Sequence, residues 1–206
     1  MSEVTRSSEA IQGGAAARVA QERRTMPSGW WGMVLLIATE FTLFTCLIAS
    51  YFYLRFQEVQ WPPPGIEKPS VTLPLVFTAM LVAASAPMYG AVRAGRSGNV
   101  RMAWLLLAAA AAIQGTYLGL QIHLFVSDLN SFPPTQSAYA SIYFVLGGLH
   151  HVHVAVGLAL NAWLLLVLLR GLTNYRLIGL RVIALYWYFV AFIAIPVVLT
   201  QLYPSL

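Results

Sequence analysis

Two polar features interrupt stretches of otherwise hydrocarbon-like sequence. Glu40 lies within "LLIATEFTLFTCL" (35–47), and His150, His151 and His153 lie within "GGLHHVHVAVG" (147–157). A charged side chain at the centre of a membrane helix costs about 2.5–3.5 kcal/mol on insertion scales, so such groups face protein and find partners. Glu40 is ten residues beyond Trp30, roughly 15 Å along a helix, which is mid-membrane depth. The histidines sit halfway along their own span and share that depth. His150 and His153, three apart, lie on one helix face, and His151 points elsewhere. Three chemistries suit these residues. Glu40 pairs with the His150/His153 face, or it is neutral and bonded locally through Thr39, Thr42 or a backbone carbonyl, or the histidines ligate haem or a metal. His123 would be the further ligand in the last case. It is some twenty residues past Arg101, roughly 30 Å across and near the far edge. No cysteine or second carboxylate joins the cluster, so the expectation is a buried polar pair with no catalytic and no metal-binding residue.

These groups need helices at membrane depth to hold them. Of the 206 residues, 59% are hydrophobic and 9% charged, against roughly a quarter charged in a soluble domain. Five segments reach the roughly 20 residues that a helix needs to span a bilayer: about 30–54, 71–92, 102–126, 138–169 and 178–203. The breaks between them, "QWPPPGIEKPS", "RAGRSGNVR", "SDLNSFPPTQS" and "RGLTNYRLIGLR", carry residues that suit turns better than helix interiors. The fold class expected is all-α, a polytopic bundle of five transmembrane helices over 30–206. A flexible tail precedes it over 1–29, with "AAARVAQERR" as a candidate surface helix and no compact apolar region of a signal peptide. The lone cysteine, Cys46, lies in an apolar span and forms no internal disulfide.

The net charge of +5 makes no basic patch, so nucleic acid is not an expected partner. It distributes by side of the membrane instead. Ten cations (Arg6, Arg18, Arg23, Arg24, Arg93, Arg96, Arg101, Arg170, Arg176 and Arg181) fall on one side and two (Arg55 and Lys68) on the other. That bias predicts a cytoplasmic N-terminus and an external C-terminus in a plasma (inner) membrane. Trp30, Trp31 and Trp104 fall at the predicted inner interface, Tyr53 and Trp61 at the outer. Arg93, Arg96, Arg101, Arg170, Arg176 and Arg181 are candidate ligands for phospholipid headgroups. Gly115 and Gly119 have the spacing of a close helix-packing face. Gln114 reads as an interhelical hydrogen-bond donor, and Pro87 and Pro196 should bend their helices.

Several stretches together resemble subunit III of the haem–copper terminal oxidases, the cytochrome c oxidase type. "WWGMVLLIATE" (30–40) is similar to that family's tryptophan-rich entry to a buried glutamate. "WPPPGI" (61–66) is similar to its external loop, "GTYLGLQ" with "YFVLGGLHHVHVAVG" (143–157) to its paired-histidine helix, and "ALYWYFV" (184–190) to the start of its last helix. Order and spacing agree over nearly everything after residue 29. The resemblance implies the last five helices of a seven-helix pattern, in a subunit that holds no haem or copper. It implies packing against the catalytic subunit I, in a complex with subunit II and other respiratory subunits that carries haem and copper, and phospholipid bound in a cleft. It also implies support of proton uptake during oxygen reduction, with cytochrome c as donor; quinol oxidases and nitric oxide reductase-associated relatives share the architecture. Glu40 takes the place of the family's carbodiimide-reactive carboxyl, and His150 and His153 that of its paired histidines. From a different class, a small transporter or quinone-binding cytochrome would use Glu40 and the histidines directly.

The chain departs from that pattern at named positions. His151 stands where the family usually has glycine. Leu124 and Phe125 follow Gln121 in place of a glutamate–aromatic pair. Tyr188 and Ala191 replace a histidine and an aspartate of the last helix. The reading that results makes Glu40 and the fourth-span histidines the main buried polar pair, with Glu40 neutral and hydrogen-bonded.

Overall fold

The computed structural model describes residues 28–171 and 173–205. The tail expected over 1–29, with its candidate surface helix and four of its arginines, lies outside the described residues up to position 27. Six helices and a terminal 3-10 turn make up the rest: α1 (Ser28–Gln57), α2 (Thr72–Ala83), α3 (Ser85–Arg96), α4 (Val100–Ser131), α5 (Ala138–Leu168), α6 (Asn174–Leu202) and the turn Tyr203–Ser205. Helices α2 and α3 together form one span, so among the described residues five helical segments are long and apolar enough to cross a membrane. Each predicted span coincides with one of them, two of them overrunning it by a single residue, at Val71 and Leu169. The interruption at Ala84 has a local cause. Pro87 has no N–H to donate to the carbonyl of Ala83 four residues earlier, and α2 ends at Ala83. Helix α6 continues through Pro196.

The short connections are built by their own residues. Gly98 takes φ 76°, a left-handed conformation that glycine adopts at no steric cost. It closes α3, and Asn99 then caps α4 by accepting from the Met102 amide at 3.1 Å. Ser137 caps α5 by accepting from the Ala140 amide, and Thr173 caps α6 by accepting from that of Arg176. On the far side, Trp61 Nε1 donates to the Tyr51 hydroxyl at 2.8 Å. That bond folds the 58–71 loop onto α1, and Trp61 packs edge-on against Tyr139 of α5.

Helix α6 is the centre of the bundle. Fourteen of its residues are buried, against Phe44 and Tyr51 in α1. Its apolar faces meet α1, α2, α3 and α5, while α1 packs on α5 and α6 and not on α2, α3 or α4. A cleft therefore opens between α1 and α3 with α6 as its floor.

The closest helix approach is not at the expected glycines. A Cβ on Gly119 would have nothing within 4 Å, and one on Gly115 would reach only Leu158 Cδ2 at an ordinary 3.7 Å. Small residues permit close approach without requiring it, and here Leu158 fills the space facing Gly115. Tighter contacts lie one helix on, where a Cβ on Gly147 would meet the movable Gln201 amide at 2.7 Å and one on Gly157 would meet rigid rings. A Cβ on Gly157 would stand 2.8 Å from Trp187 Cζ2 and 3.0 Å from Tyr186 Cε1. Both rings are buried and lack the freedom to move aside. Gly157→Ala should therefore destabilise the α5–α6 packing by about 1–3 kcal/mol, read as a lowered thermal midpoint in detergent. Gly119→Ala should leave that midpoint unchanged or slightly raised, since alanine favours helix by about 0.8–1.0 kcal/mol over glycine. Equal midpoints for the two variants would contradict this assignment of the tight face.

Candidate functional site

The predicted buried residues resolve into two adjacent contacts on α5, separated by a phenyl ring. Glu40 Oε2 of α1 lies 2.9 Å from His153 Nε2 of α5. Thr39 and Thr42, the local alternatives, donate to the carbonyls of Leu36 and Ala38 in their own helix. The other nitrogen of His153, Nδ1, is 2.8 Å from the Leu149 carbonyl. A carbonyl only accepts, so Nδ1 carries a proton. The contact with Glu40 then closes only when one further proton lies between Nε2 and Oε2. Either a neutral carboxyl donates to a neutral ring, or an imidazolium donates to a carboxylate. Tyr186 of α6 fixes the same turn by donating its hydroxyl to the His153 carbonyl at 2.9 Å.

His150 does not join Glu40. Its Nε2 is 3.2 Å from the Tyr117 hydroxyl of α4, and Gln121 Nε2 donates to that hydroxyl at 3.4 Å. Two residues three apart are separated by about 60° around a helix of 3.6 residues per turn, enough to aim them at different neighbours. Phe44, fully buried, packs edge-on against both imidazoles, with ring centroids 5.1 Å from His153 and 6.5 Å from His150. His151 turns away and lies edge-on to Phe125 at 5.3 Å. His123, exposed toward the end of α4, takes no part in these contacts. Among the described residues no three His, Cys, Asp or Glu side chains converge as a metal site would require.

Gln114 and a residue that sequence reasoning passed over form a third buried contact. Asn161 Nδ2 of α5 donates to Gln114 Oε1 at 2.6 Å; Gln114 therefore accepts where a donor was expected. An asparagine alone in an apolar run was the signal for it, because such a group needs an interhelical partner. Tyr143 and Asp128 were also missed; the Tyr143 hydroxyl donates to Asp128 Oδ2 at 2.7 Å. Their fifteen-residue interval across the 132–137 turn gave little hint that they meet.

At the other end of the bundle the arginines divide. Arg93, Arg96 and Arg181 line one cavity of about 430 Å³ in the mouth of the α1–α3 cleft, together with Trp30, Tyr89 and Tyr188. Arg101 and Arg170 are exposed outside it. Arg176 is turned inward on its own loop, where Nη1 donates to the carbonyls of Arg170 and Gly171.

Comparison with known proteins places this geometry. A sequence profile described as Cytochrome c oxidase subunit III matches residues 10–204. The chain is 30% identical to "Cytochrome c oxidase subunit 3" of Pelomedusa subrufa over 170 residues, 78% of this chain and 63% of that protein. It is 29% identical to the protein of the same description from Bacillus subtilis (84% of this chain, 83% of that one). It is 28% identical to "Cytochrome bo(3) ubiquinol oxidase subunit 3" of Pseudomonas aeruginosa (78% and 76%). The chain thus spans a little under two thirds of the length of the animal relatives it matches. The five apolar helices and the bacterial relatives make it a multi-pass inner-membrane protein. By the match along almost its whole length, the chain belongs to the cytochrome c oxidase subunit III family.

Proposed function

We propose that this chain acts as the non-redox third subunit of a proton-pumping haem–copper oxidase that reduces oxygen to water. It packs against the catalytic subunit I, beside subunit II, stabilises that subunit, holds phospholipid and supports proton uptake. Haem and copper belong to the partners. The observation that carries this reading is the family match over residues 10–204, joined to buried side-chain hydrogen bonds that link one helix to another. The relatives include one named for cytochrome c and one named for ubiquinol, which supports an electron-donor site on another subunit; cytochrome c is the donor proposed here. The arginine bias sets the N-terminus in the cytoplasm. Purifying the tagged chain gently from its own membranes, with metal analysis and optical spectra, tests the whole reading. A haem- and copper-containing large subunit should co-purify, and a haem band on this chain alone would overturn the proposal.

The role proposed for Glu40 is structural first, as the link that ties α1 to α5. Glu40→Gln retains a donor for a His153 Nε2 that accepts, so assembly and initial oxygen-reducing turnover should persist. Glu40→Ala leaves His153 Nε2 without its partner at a part-buried site, a loss of about 1–3 kcal/mol. It should loosen α1 and shorten activity over many turnovers, followed beside subunit content. Abolished initial turnover in an intact Glu40→Gln complex would make Glu40 an obligatory proton carrier instead.

The cleft between α1 and α3 is proposed as the phospholipid site. Its mouth gathers Arg93, Arg96 and Arg181 with two tyrosines and a tryptophan, a setting that suits an anionic headgroup at a membrane interface. Native mass spectrometry of the gently purified complex should show bound phospholipid, diminished by Arg96→Gln with Arg181→Gln. Retention unchanged in that double variant would place the lipid elsewhere.

A further inference from the structure

A second cavity, of about 80 Å³, lies among α2, α4, α5 and α6. Its lining begins at Ser70, in the 58–71 loop, passes Asp128 and Gln121, and ends at His150 and His151 in mid-span. We propose that this cavity is an internal water site, which hydrates His150 and His151 from the Asp128 end of the bundle. Its ligand is a small cluster of water molecules, and neither a lipid tail nor a metal ion.

Size and chemistry both point to water. One water needs about 10–15 Å³ of such volume, so the cavity has room for several. Apolar cavities of this size stay dry, and polar ones with two to four partners per molecule hold water. Here the lining is polar where it is deepest. His150 is 2% exposed, and its Nδ1 has no hydrogen-bond partner among the described residues. The direction of the neighbouring bonds says what it lacks. Gln121 donates to the Tyr117 hydroxyl, so Tyr117 directs its own proton to His150 Nε2. The neutral ring then bears its proton on Nδ1 and needs an acceptor, which a water oxygen supplies. The second oxygen of Asp128 and the carbonyl of Gln121 offer further anchors along the path. An acyl chain in the same space would leave all of these groups unpaired. Phe44, packed edge-on against His150 and His153, is not part of the lining, and neither are Glu40 and His153, so the water stops short of the Glu40–His153 contact. The wet side of α5 and the paired side are thus different faces of one helix.

A silver ion passes where water passes and binds a thiolate, which forms in water and not in hydrocarbon. In a Cys46→Ser background, His151→Cys in the intact complex should react with Ag⁺ at least tenfold faster than Val152→Cys, the neighbouring position on the outward face. Protection from later alkylation, read by mass on this chain alone, gives both rates. Adding Gln121→Phe fills the cavity and should slow the His151→Cys reaction at least tenfold. Equal rates at positions 151 and 152, or a rate indifferent to Gln121→Phe, would overturn the proposal. Should the variants fail to assemble, a map of the unaltered complex finer than about 2 Å decides. Ordered solvent within hydrogen-bond distance of His150 Nδ1 sustains the water site, and an empty or lipid-filled cavity refutes it.

Discussion

Hydrocarbon offers no hydrogen bonds, and that constraint organises the bundle. A polar side chain at mid-span must find its partner on a neighbouring helix, so each such group fixes a helix pair. Nearly all of these bonds converge on α5. Glu40 reaches it from α1. Tyr117, Gln114 and the Trp104 indole reach it from α4, and Tyr186 and Gln201 from α6. Apolar packing converges instead on α6. One helix therefore sets which neighbours belong and in what register, while the other supplies most of the buried contact. Gly157 lies where the two meet, and its missing side chain lets the rings of Tyr186 and Trp187 lie against α5.

Helix α1 is the exception that gives the subunit its shape. As a span it has the smallest buried share, and among the described helices it packs on α5 and α6 alone. Across the membrane interior its one side-chain hydrogen bond to another helix, among the described residues, is the Glu40–His153 contact, and at the far end Tyr51 and Trp61 hold it through the loop. A helix anchored at two levels and free along its remaining faces leaves a cleft, and arginines gather at one mouth of that cleft. The same carboxyl that is costly in hydrocarbon is thus what keeps a sparsely packed helix in place. That is a physical reason for its position that requires no redox chemistry in this chain.

The spans were legible because length and apolarity decide them, and the caps Asn99, Ser137 and Thr173 have ordinary sequence signatures. Depth along a helix was enough to bring Glu40 to the histidines. Rotation about the helix axis was not legible. Only the packed structure shows that His153 faces α1 while His150 faces α4, or that Gly119 looks outward. Charge alone likewise could not divide the six inner arginines. Three line a cavity because α3 and α6 present them to the same cleft, whereas Arg176 closes its own loop.

The positions where this chain departs from the pattern it resembles fall in separate places: Tyr188 lines the arginine cavity, whereas Leu124, Phe125 and His151 line the cavity among α2, α4, α5 and α6. His151, in place of a usual glycine, lies edge-on to Phe125, itself one of the two residues that replace a glutamate–aromatic pair. Gly148, one turn earlier, leaves room for the same ring, since a Cβ there would stand 3.4 Å from Phe125 Cζ. His151 of α5 and Leu124 and Phe125 of α4 thus line one cavity. Tyr117, Gln121 and His150 line the same cavity. The Glu40–His153 contact, beside Phe44, lies outside that lining. The two faces of α5 can thus vary separately, one bound by the need to hold α1, the other free to change its ligands as long as every buried polar atom still finds a partner.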